Sequence, residues 1–245
     1  MQFIISKLLS NYKNIAYGIS SRGLKYTSTF QNNLSYSVGD DPEMVSENRN
    51  IFYSSLGIQK SQVVSLKQIH SSNSLIVENP GEHYNADAII TNKSNLFLQV
   101  SIADCVPILI YDPISQVVAA VHAGWRGTNS EIAFKSVIKI IEVYNIKSKN
   151  LIAFIGPSAG ECCYEVGEET WKKFNTKYLK KLSFDLKKRF LNVKKANYDQ
   201  LLKAGMLKNN IEVSQYCTIC DNQFHSFRRD GKNSGRMFAV IGIRV

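Results

Sequence analysis

The chain has 245 residues, of which 44% are hydrophobic and 20% are charged, as in a soluble globular protein of one large domain or two small ones. Its formal net charge is +10, which is compatible with nucleic acid, an anionic membrane or a phosphate-bearing substrate as partner. However, much of the lysine excess lies in runs around 172–173 and 177–195 that are typical of a solvated helix face, and no nucleic-acid-binding motif is present.

No apolar segment is long enough to span a bilayer, and residues 1–14 lack the basic start and cleavage site of a signal peptide. The five cysteines are odd in number and are not spaced like those of a disulfide-stapled secreted domain. We therefore expect a cytoplasmic protein with reduced thiols, and no nucleic-acid or membrane partner. The sequence does not indicate the oligomeric state.

Taken in chain order, runs rich in β-branched residues predict strands at 63–66, 74–77, 88–91, 96–102, 106–111, 117–121, 151–155 and 237–243. Thr128 is the predicted N-cap of a helix, with Glu131 completing a capping box, and apolar residues then recur at helical spacing to 144. Further helices are predicted at 168–178 and 198–207. No repeat or linker divides the chain, so we expect one α+β domain over 1–245, with mixed β-sheets flanked by helices.

Two histidines and a cysteine stand at or between the ends of predicted strands. His70 and His122 each end a strand run, and Cys105 lies between two such runs. Two imidazoles and a thiolate suit zinc, and three protein ligands leave a fourth position open, as in catalytic zinc sites. The alternative is that each residue is a buried, hydrogen-bonded side chain without a metal.

The other four cysteines form a CxxC at Cys217 and Cys220 and an adjacent pair at Cys162 and Cys163. A CxxC can be a redox pair or half of a zinc site, but no second CxxC and no thioredoxin-like pattern accompany it. We therefore interpret it as two buried thiols behind the site. The adjacent pair is not expected to bind one ion together, because neighbouring side chains diverge.

Two groups of arginines are candidate anion ligands. Arg126 is flanked by glycines just before the predicted helix, where free N–H groups and a cation favour an anion. Arg228 and Arg229 lie in a turn near 234–236. A surface salt bridge is the alternative role for each of them.

A set of short strings runs through the chain in a characteristic order: KQIH at 67–70, ADA at 86–88, ADCVP at 103–107, VHAGWRG at 121–127, IGP at 155–157, CCYEVG at 162–167, CTICD at 217–221 and RRDG at 228–231. With these strings the chain resembles, from about 17 to 243, the laccase-domain family, once called multicopper polyphenol oxidases. Its members are viewed as zinc-dependent purine nucleoside phosphorylases, some with adenosine deaminase activity. The peptidoglycan editing factor belongs to the same family.

The resemblance implies that His70, Cys105 and His122 are zinc ligands. Asp104, which neighbours Cys105 in sequence, is a candidate catalytic residue that supports the ligands or carries a proton. The resemblance also implies purine nucleosides and phosphate as substrates. The family string Asn-Leu-Gly-x-His-Val-Gly-Asp-Asp is NLSYSVGDD at 33–41, so Ser35 and Ser37 replace its glycine and histidine. Copper oxidase chemistry is excluded, because a multicopper site needs many more histidines than the four present.

The leading hypothesis is therefore phosphorolysis of adenosine, inosine or guanosine to free base and ribose 1-phosphate. Arg126, with Arg228 or Arg229, is the candidate phosphate site. The hypothesis extends to adenosine deamination and methylthioadenosine phosphorolysis as further activities to be tested at the same site. The alternatives are amide hydrolysis of a muropeptide precursor, as in peptidoglycan editing, and a zinc-binding scaffold without turnover.

Overall fold

The computed structural model describes residues 3–23, 28–182 and 185–245, so that residues 183 and 184 of the lysine-rich stretch lie outside it. The described chain contains strands β1 to β14: Phe3–Ile4, Ile15–Ser20, Val63–Lys67, Ser74–Ile76, Gly81–Tyr84, Ala88–Thr91, Phe97–Ile102, Val106–Asp112, Val117–Ala123, Ile152–Ile155, Leu179–Leu182, Asp185–Leu191, Ile211–Val213 and Met237–Ile243. Its helices α1 to α6 are Pro42–Ser55, Trp125–Asn129, Ile132–Tyr144, Glu168–Trp171, Val193–Lys203 and Phe227–Asp230.

Two six-stranded mixed sheets form the centre of the molecule. We call the first sheet A, with strand order β1-β2-β14-β7-β3-β5, and the second sheet B, with order β13-β10-β8-β9-β6-β4. Parallel pairing joins β3 to β5 and β7, β4 to β6, and β10 to β13, while the other neighbours are antiparallel. Strands β11 and β12 form a separate antiparallel pair.

The sheets pack face to face, with helices on both outer faces. Leu98 and Ile241 of sheet A share one buried cluster with Leu109 and Ala120 of sheet B. The outer face of sheet B packs on α3 and α5, and the outer face of sheet A packs Phe238 and its neighbours against α1. Strands β8, β9 and β14 are buried along their whole length, which explains their nearly continuous apolar sequences.

The predicted α+β class is confirmed, and each predicted strand is present within a few residues of its expected bounds. The predicted capping box is wrong. Thr128 lies inside the short helix α2, and the N-cap of α3 is Glu131, with a left-handed backbone and no capping hydrogen bond from its side chain. Glu131 instead pairs with Lys203 of α5.

The other helix predictions are only partly right. The segment 168–178 contains the single turn α4 and a 3₁₀ turn at Thr176–Tyr178, and α5 begins five residues before the expected start at 198. Helix α1 was not predicted at all. Within the part of the chain described, no helix combines the length and apolar character needed to cross a bilayer.

Candidate metal centre and its cavity

His70, Cys105 and His122 meet at one end of the interface between the two packed sheets. His70 follows the end of β3, Cys105 lies in the turn from β7 of sheet A to β8 of sheet B, and His122 belongs to β9. One potential ligand atom from each residue lies within 4.8 Å of those of the other two. The Sγ atom of Cys105 is 3.9 Å from Nε2 of His70.

A buried carboxylate orients two of these residues. Oδ1 of Asp87, directly before β6, accepts hydrogen bonds from the Nδ1 atom of His122 and from the backbone N–H of His70, both at 2.9 Å. Its Oδ2 atom accepts from the N–H and the hydroxyl of Ser71. Burial tends to raise the pKa of Asp87, but the bonds from His122 and Ser71 outweigh it and lower the pKa to about 2. The carboxylate therefore stays ionised and leaves Nε2 of His122 as the free ligand atom.

The thiol and the imidazole of the site stabilise each other's charged forms. Burial tends to raise the pKa of Cys105, but the charge of His122 and hydrogen bonds from His122 and His70 lower that pKa to about 6. Burial tends to lower the pKa of His122, but Cys105 and Asp87 raise it to about 9. The lowered pKa of Cys105 favours its thiolate, the form in which cysteine binds a metal.

The backbone around the site is unusual at two positions, and a third position has room only for glycine. His70 and Asp104 have positive φ angles of 60° and 83°, which non-glycine residues rarely adopt. Gly124 follows β9, and a Cβ atom there would lie 2.8 Å from the His70 ring and 3.2 Å from the Cys105 sulfur. Only glycine fits at 124 without displacing these two side chains.

The donor set fits a metal ion. Two imidazole nitrogens and one thiolate are the ligand types that zinc prefers, and the Asp87 bond to His122 is the usual support for a ligating histidine. His83 and His225, the other two histidines, do not belong to this cluster. His225 is fully buried and hydrogen-bonded to the backbone of Gln31 and Gly235.

A cavity of about 860 Å³ opens beside the cluster, which is large enough for a nucleoside. Its lining includes the three cluster residues, the aromatic side chains Tyr36, Phe227 and Phe238, the amides Gln68 and Gln99, and the cations Arg49 and Arg236. Ser35 and Ser37 also line it, so the two departures from the family string lie at this cavity.

Asp104 connects the turn that carries Cys105 to residues 218 and 228 near the C-terminus. Its Oδ1 atom accepts from the Thr218 hydroxyl at 2.6 Å, and Oδ2 accepts from the backbone N–H of Arg228 at 2.7 Å. The Asp104 carbonyl accepts from Ala159. These contacts hold the turn that carries Cys105 against the 158–160 and 218–228 segments.

The arginines predicted to bind phosphate have different environments. Arg126 is exposed, stacks on Trp125 at 4.4 Å and lies within α2 rather than before it. Arg228 stacks on Tyr164 at 4.9 Å and donates to the Glu165 carbonyl. Both arginines lower the pKa of Tyr164, whose net pKa is nevertheless raised to about 12, chiefly by burial. The two cations therefore lie near the same phenol, although neither is among the residues lining the cavity.

The guanidinium of Arg229 is held by hydrogen bonds within the protein. It forms a two-point contact with Asp230 and also donates to the carbonyls of Thr218, Ile219 and Phe224. These bonds occupy the guanidinium N–H groups with which an arginine binds an oxyanion through two hydrogen bonds. Arg236, which lines the cavity, is better placed and was not selected from the sequence.

The four other cysteines also come together, which corrects the expectation of a buried pair and a diverging pair. Cys162, Cys163, Cys217 and Cys220 have sulfur atoms within 4.8 Å of one another. Cys162 and Cys220 are exposed, and the other two are partly exposed. We refer to these residues as the four-cysteine cluster.

Comparison with known proteins places these observations in a family. Residues 17–244 match the family model described as multi-copper polyphenol oxidoreductase laccase. A purine nucleoside phosphorylase of Clostridium acetobutylicum is 35% identical over 218 residues, covering 88% of this chain and 90% of that protein. Adenosine deaminase RL5, from an unknown prokaryotic organism, is 33% identical over 233 residues, covering 85% and 86%. The crystal structure of the hypothetical protein YfiH of Bacillus licheniformis has a TM-score of 0.90 at 27% identity, covering 99% and 96%.

Proposed function

The chain belongs to the multi-copper polyphenol oxidoreductase laccase family, and from this premise we propose that it is a zinc-dependent purine nucleoside phosphorylase. The observation that carries the proposal is the His70, Cys105 and His122 cluster at a nucleoside-sized cavity. Its relative from Clostridium acetobutylicum, named for this activity, is similar over most of both chains.

In the proposed reaction a phosphate oxygen forms a bond to C1′ of the ribose while the bond from C1′ to the purine nitrogen breaks. The electron pair of the broken bond goes to the purine, which takes up a proton. Positive charge therefore develops on the ribose and negative charge on the base. The protein must hold phosphate beside the ribose and stabilise the departing base.

His70, Cys105 and His122 are the proposed zinc ligands, and Asp87 orients both histidines. A zinc ion there would supply a Lewis acid that polarises a substrate atom or lowers the pKa of a water. The donor set alone also suits copper, so zinc rests on the family resemblance and on the open fourth position expected of a catalytic site.

The side chains around the cavity suggest where each part of the substrate binds. Tyr36 and Phe227, both exposed, offer apolar surface for a flat purine, and Gln99, whose Oε1 accepts from the Tyr53 hydroxyl, offers its amide N–H groups for the polar edge. We propose that Arg236 binds phosphate from within the cavity, with Arg228 and Arg126 supporting it from the side of Tyr164. Asp104, whose two oxygens hold Thr218 and Arg228, positions Cys105 and Arg228.

The test is incubation of the purified protein with inosine, with and without phosphate. We expect hypoxanthine and ribose 1-phosphate in equal amounts, and no hypoxanthine when phosphate is absent. Elemental analysis of the same sample should find zinc rather than copper. Hypoxanthine formation without phosphate, or no reaction in a folded protein with zinc at the triad, would contradict the proposal.

Adenosine deamination is a second proposed activity of the same site, since the similar protein RL5 is named an adenosine deaminase. Conversion of adenosine to inosine does not require phosphate. Assaying adenosine without phosphate therefore separates the two activities, with ammonia as the second product. Adenine formed only with phosphate, and no ammonia, would limit the protein to phosphorolysis.

A further inference from the structure

The four-cysteine cluster shares no residue with the proposed catalytic site and has no part in the proposed reaction. Its two halves are far apart in sequence, since Cys163 and Cys220 are separated by 57 positions. The cluster nevertheless has short internal distances: 2.7 Å from the Cys163 sulfur to that of Cys220, and 3.2 Å from the Cys162 sulfur to the same atom. The fold thus brings four thiols to one point.

From this arrangement we propose that Cys162, Cys163, Cys217 and Cys220 bind one zinc ion as a closed, tetrathiolate structural site. Four cysteine sulfurs are the complete ligand set of many structural zinc sites, which leave no position open for substrate. Around one ion with Zn–S bonds of about 2.3 Å, tetrahedral geometry places the sulfurs roughly 3.8 Å apart. All four sulfurs lie within 4.8 Å of one another, and the closest pair, 2.7 Å apart, would separate by about 1 Å to reach that spacing.

Other uses of four thiols fit this cluster less well. An iron–sulfur cluster of several irons keeps its cysteine sulfurs further apart than a single ion does, whereas all four sulfurs here fall within 4.8 Å. A pair of disulfides would require each sulfur to bond to one partner only. Cys220 instead lies close to both Cys162 and Cys163.

The surrounding residues are suited to a negatively charged metal–thiolate centre. The backbone N–H of Gly160 donates to the Cys217 sulfur at 3.2 Å, the type of bond that stabilises a thiolate ligand. A Cβ at Gly160 would lie 3.1 to 3.3 Å from Cys217 atoms and the Cys162 sulfur, so a small residue is needed there. Lys194 lines the same surface depression and donates to the carbonyls of Ser214 and Tyr216, which places a positive charge beside the cluster.

The position of the cluster gives the proposed ion a structural role. Cys217 and Cys220 flank Thr218, whose hydroxyl holds Asp104 next to the catalytic Cys105. Cys162 and Cys163 precede Tyr164, on which Arg228 stacks. An ion held by all four cysteines would fix these two segments to each other at the edge of the proposed active site.

The experiment separates this ion from the proposed catalytic zinc. The double variant H70A/C105A retains only His122 of the triad and cannot hold a metal there. We expect zinc to fall from two equivalents per chain in the wild-type protein to one in the double variant. X-ray absorption of the remaining zinc should show sulfur neighbours alone, at about 2.3 Å.

Adding Cys220→Ser to the double variant should remove the last equivalent, and adding Gln215→Ala, an exposed neighbour of the cluster, should not. If the triple variant with Cys220→Ser does not fold, the metal content and absorption spectrum of the double variant still decide the question. The proposal would be overturned if the double variant contained no zinc or if its zinc had nitrogen neighbours. It would also be overturned if freshly purified protein contained a disulfide between two of the four cysteines. None of these measurements depends on phosphorolysis, so the two proposals can fail separately.

Discussion

The Nδ1 atom of His122 lies 2.9 Å from Oδ1 of Asp87, and the same oxygen accepts the backbone N–H of His70. One buried carboxylate atom therefore orients the ring of one proposed ligand and the main chain of another. His70 has a positive φ angle, and the bond to Asp87 stabilises that conformation.

Asp87→Asn should weaken zinc binding at the triad about 10- to 100-fold and lower phosphorolysis, because an amide cannot supply the charge that supports His122. Competition with a chromogenic chelator measures the affinity. Asp112→Asn is the matched control, since Asp112 is equally buried but lies at the far end of β8. Equal zinc affinity in wild type and Asp87→Asn would refute the assigned role.

His70→Ala should lose the triad zinc and reduce phosphorolysis by orders of magnitude, because two protein ligands hold zinc poorly. His83→Ala should keep both properties, since His83 lies on β5 and outside the cluster. Elemental analysis and the inosine assay measure the two effects. A His70→Ala protein with wild-type turnover would show that the triad is not catalytic.

Arg236→Lys should raise the KM for phosphate about tenfold with a smaller effect on the KM for inosine. Lysine keeps the charge but lacks the planar guanidinium, so one charge-assisted hydrogen bond to phosphate is lost. Such a bond is worth about 1.5 kcal/mol, which corresponds to about a tenfold change in affinity. Arg228→Lys and Arg126→Lys should have the same sign of effect. Arg244→Lys is the control, because Arg244 donates to the Leu56 carbonyl away from the cavity. An unchanged phosphate KM in all three variants would make these arginines structural.

Stability should fall as the pH is lowered from 7 to 5, in part because of His225. Burial, reinforced by the charge of Arg22, lowers the pKa of His225 to about 3 in the folded protein, and its ordinary value is about 6.5. Between about pH 3 and pH 6.5, His225 is therefore protonated in the unfolded chain but not in the folded protein. Its contribution to the free energy of unfolding is complete above pH 6.5 and decreases as the pH falls below that value. The loss from this group is about 2 kcal/mol at pH 5.

Denaturant unfolding at pH 7 and pH 5 measures this loss. His225→Gln should be less stable at pH 7, because the bonds to Gln31 and Gly235 are disturbed, but its stability should depend less on pH. Asp230 and Arg236 also act on the imidazole, in opposite directions, and remain in the variant. If wild type and His225→Gln lose the same free energy between the two pH values, the imidazole is not the source.

The sequence predicted secondary structure best in the strands that are buried along their whole length. Strands β8, β9 and β14 were predicted because apolar residues fill nearly every position of segments buried on both faces. Helix α1 was missed because only three of its residues are buried, too few to show a helical period. Its start did carry a signal, Asp41 as N-cap followed by Pro42.

The sequence selected the three residues that cluster at the candidate site, but not the residues that support them. The motifs around His70, Cys105 and His122 resemble a family, whereas Asp87 and Arg236 acquire their roles only when distant segments meet. The four-cysteine cluster was missed for the same reason. Each of its halves is ambiguous alone, and only the fold brings them together.

Cys105 occupies the turn by which the chain passes from sheet A to sheet B, with His70 following a strand of sheet A and His122 on a strand of sheet B. An ion bound by all three would therefore join the two sheets at one end of their interface. Sliding of one sheet over the other would stretch the coordination bonds, so the affinity for the ion is coupled to the alignment of the sheets. A core substitution between the sheets, far from any ligand, can then change metal affinity by changing how they stack.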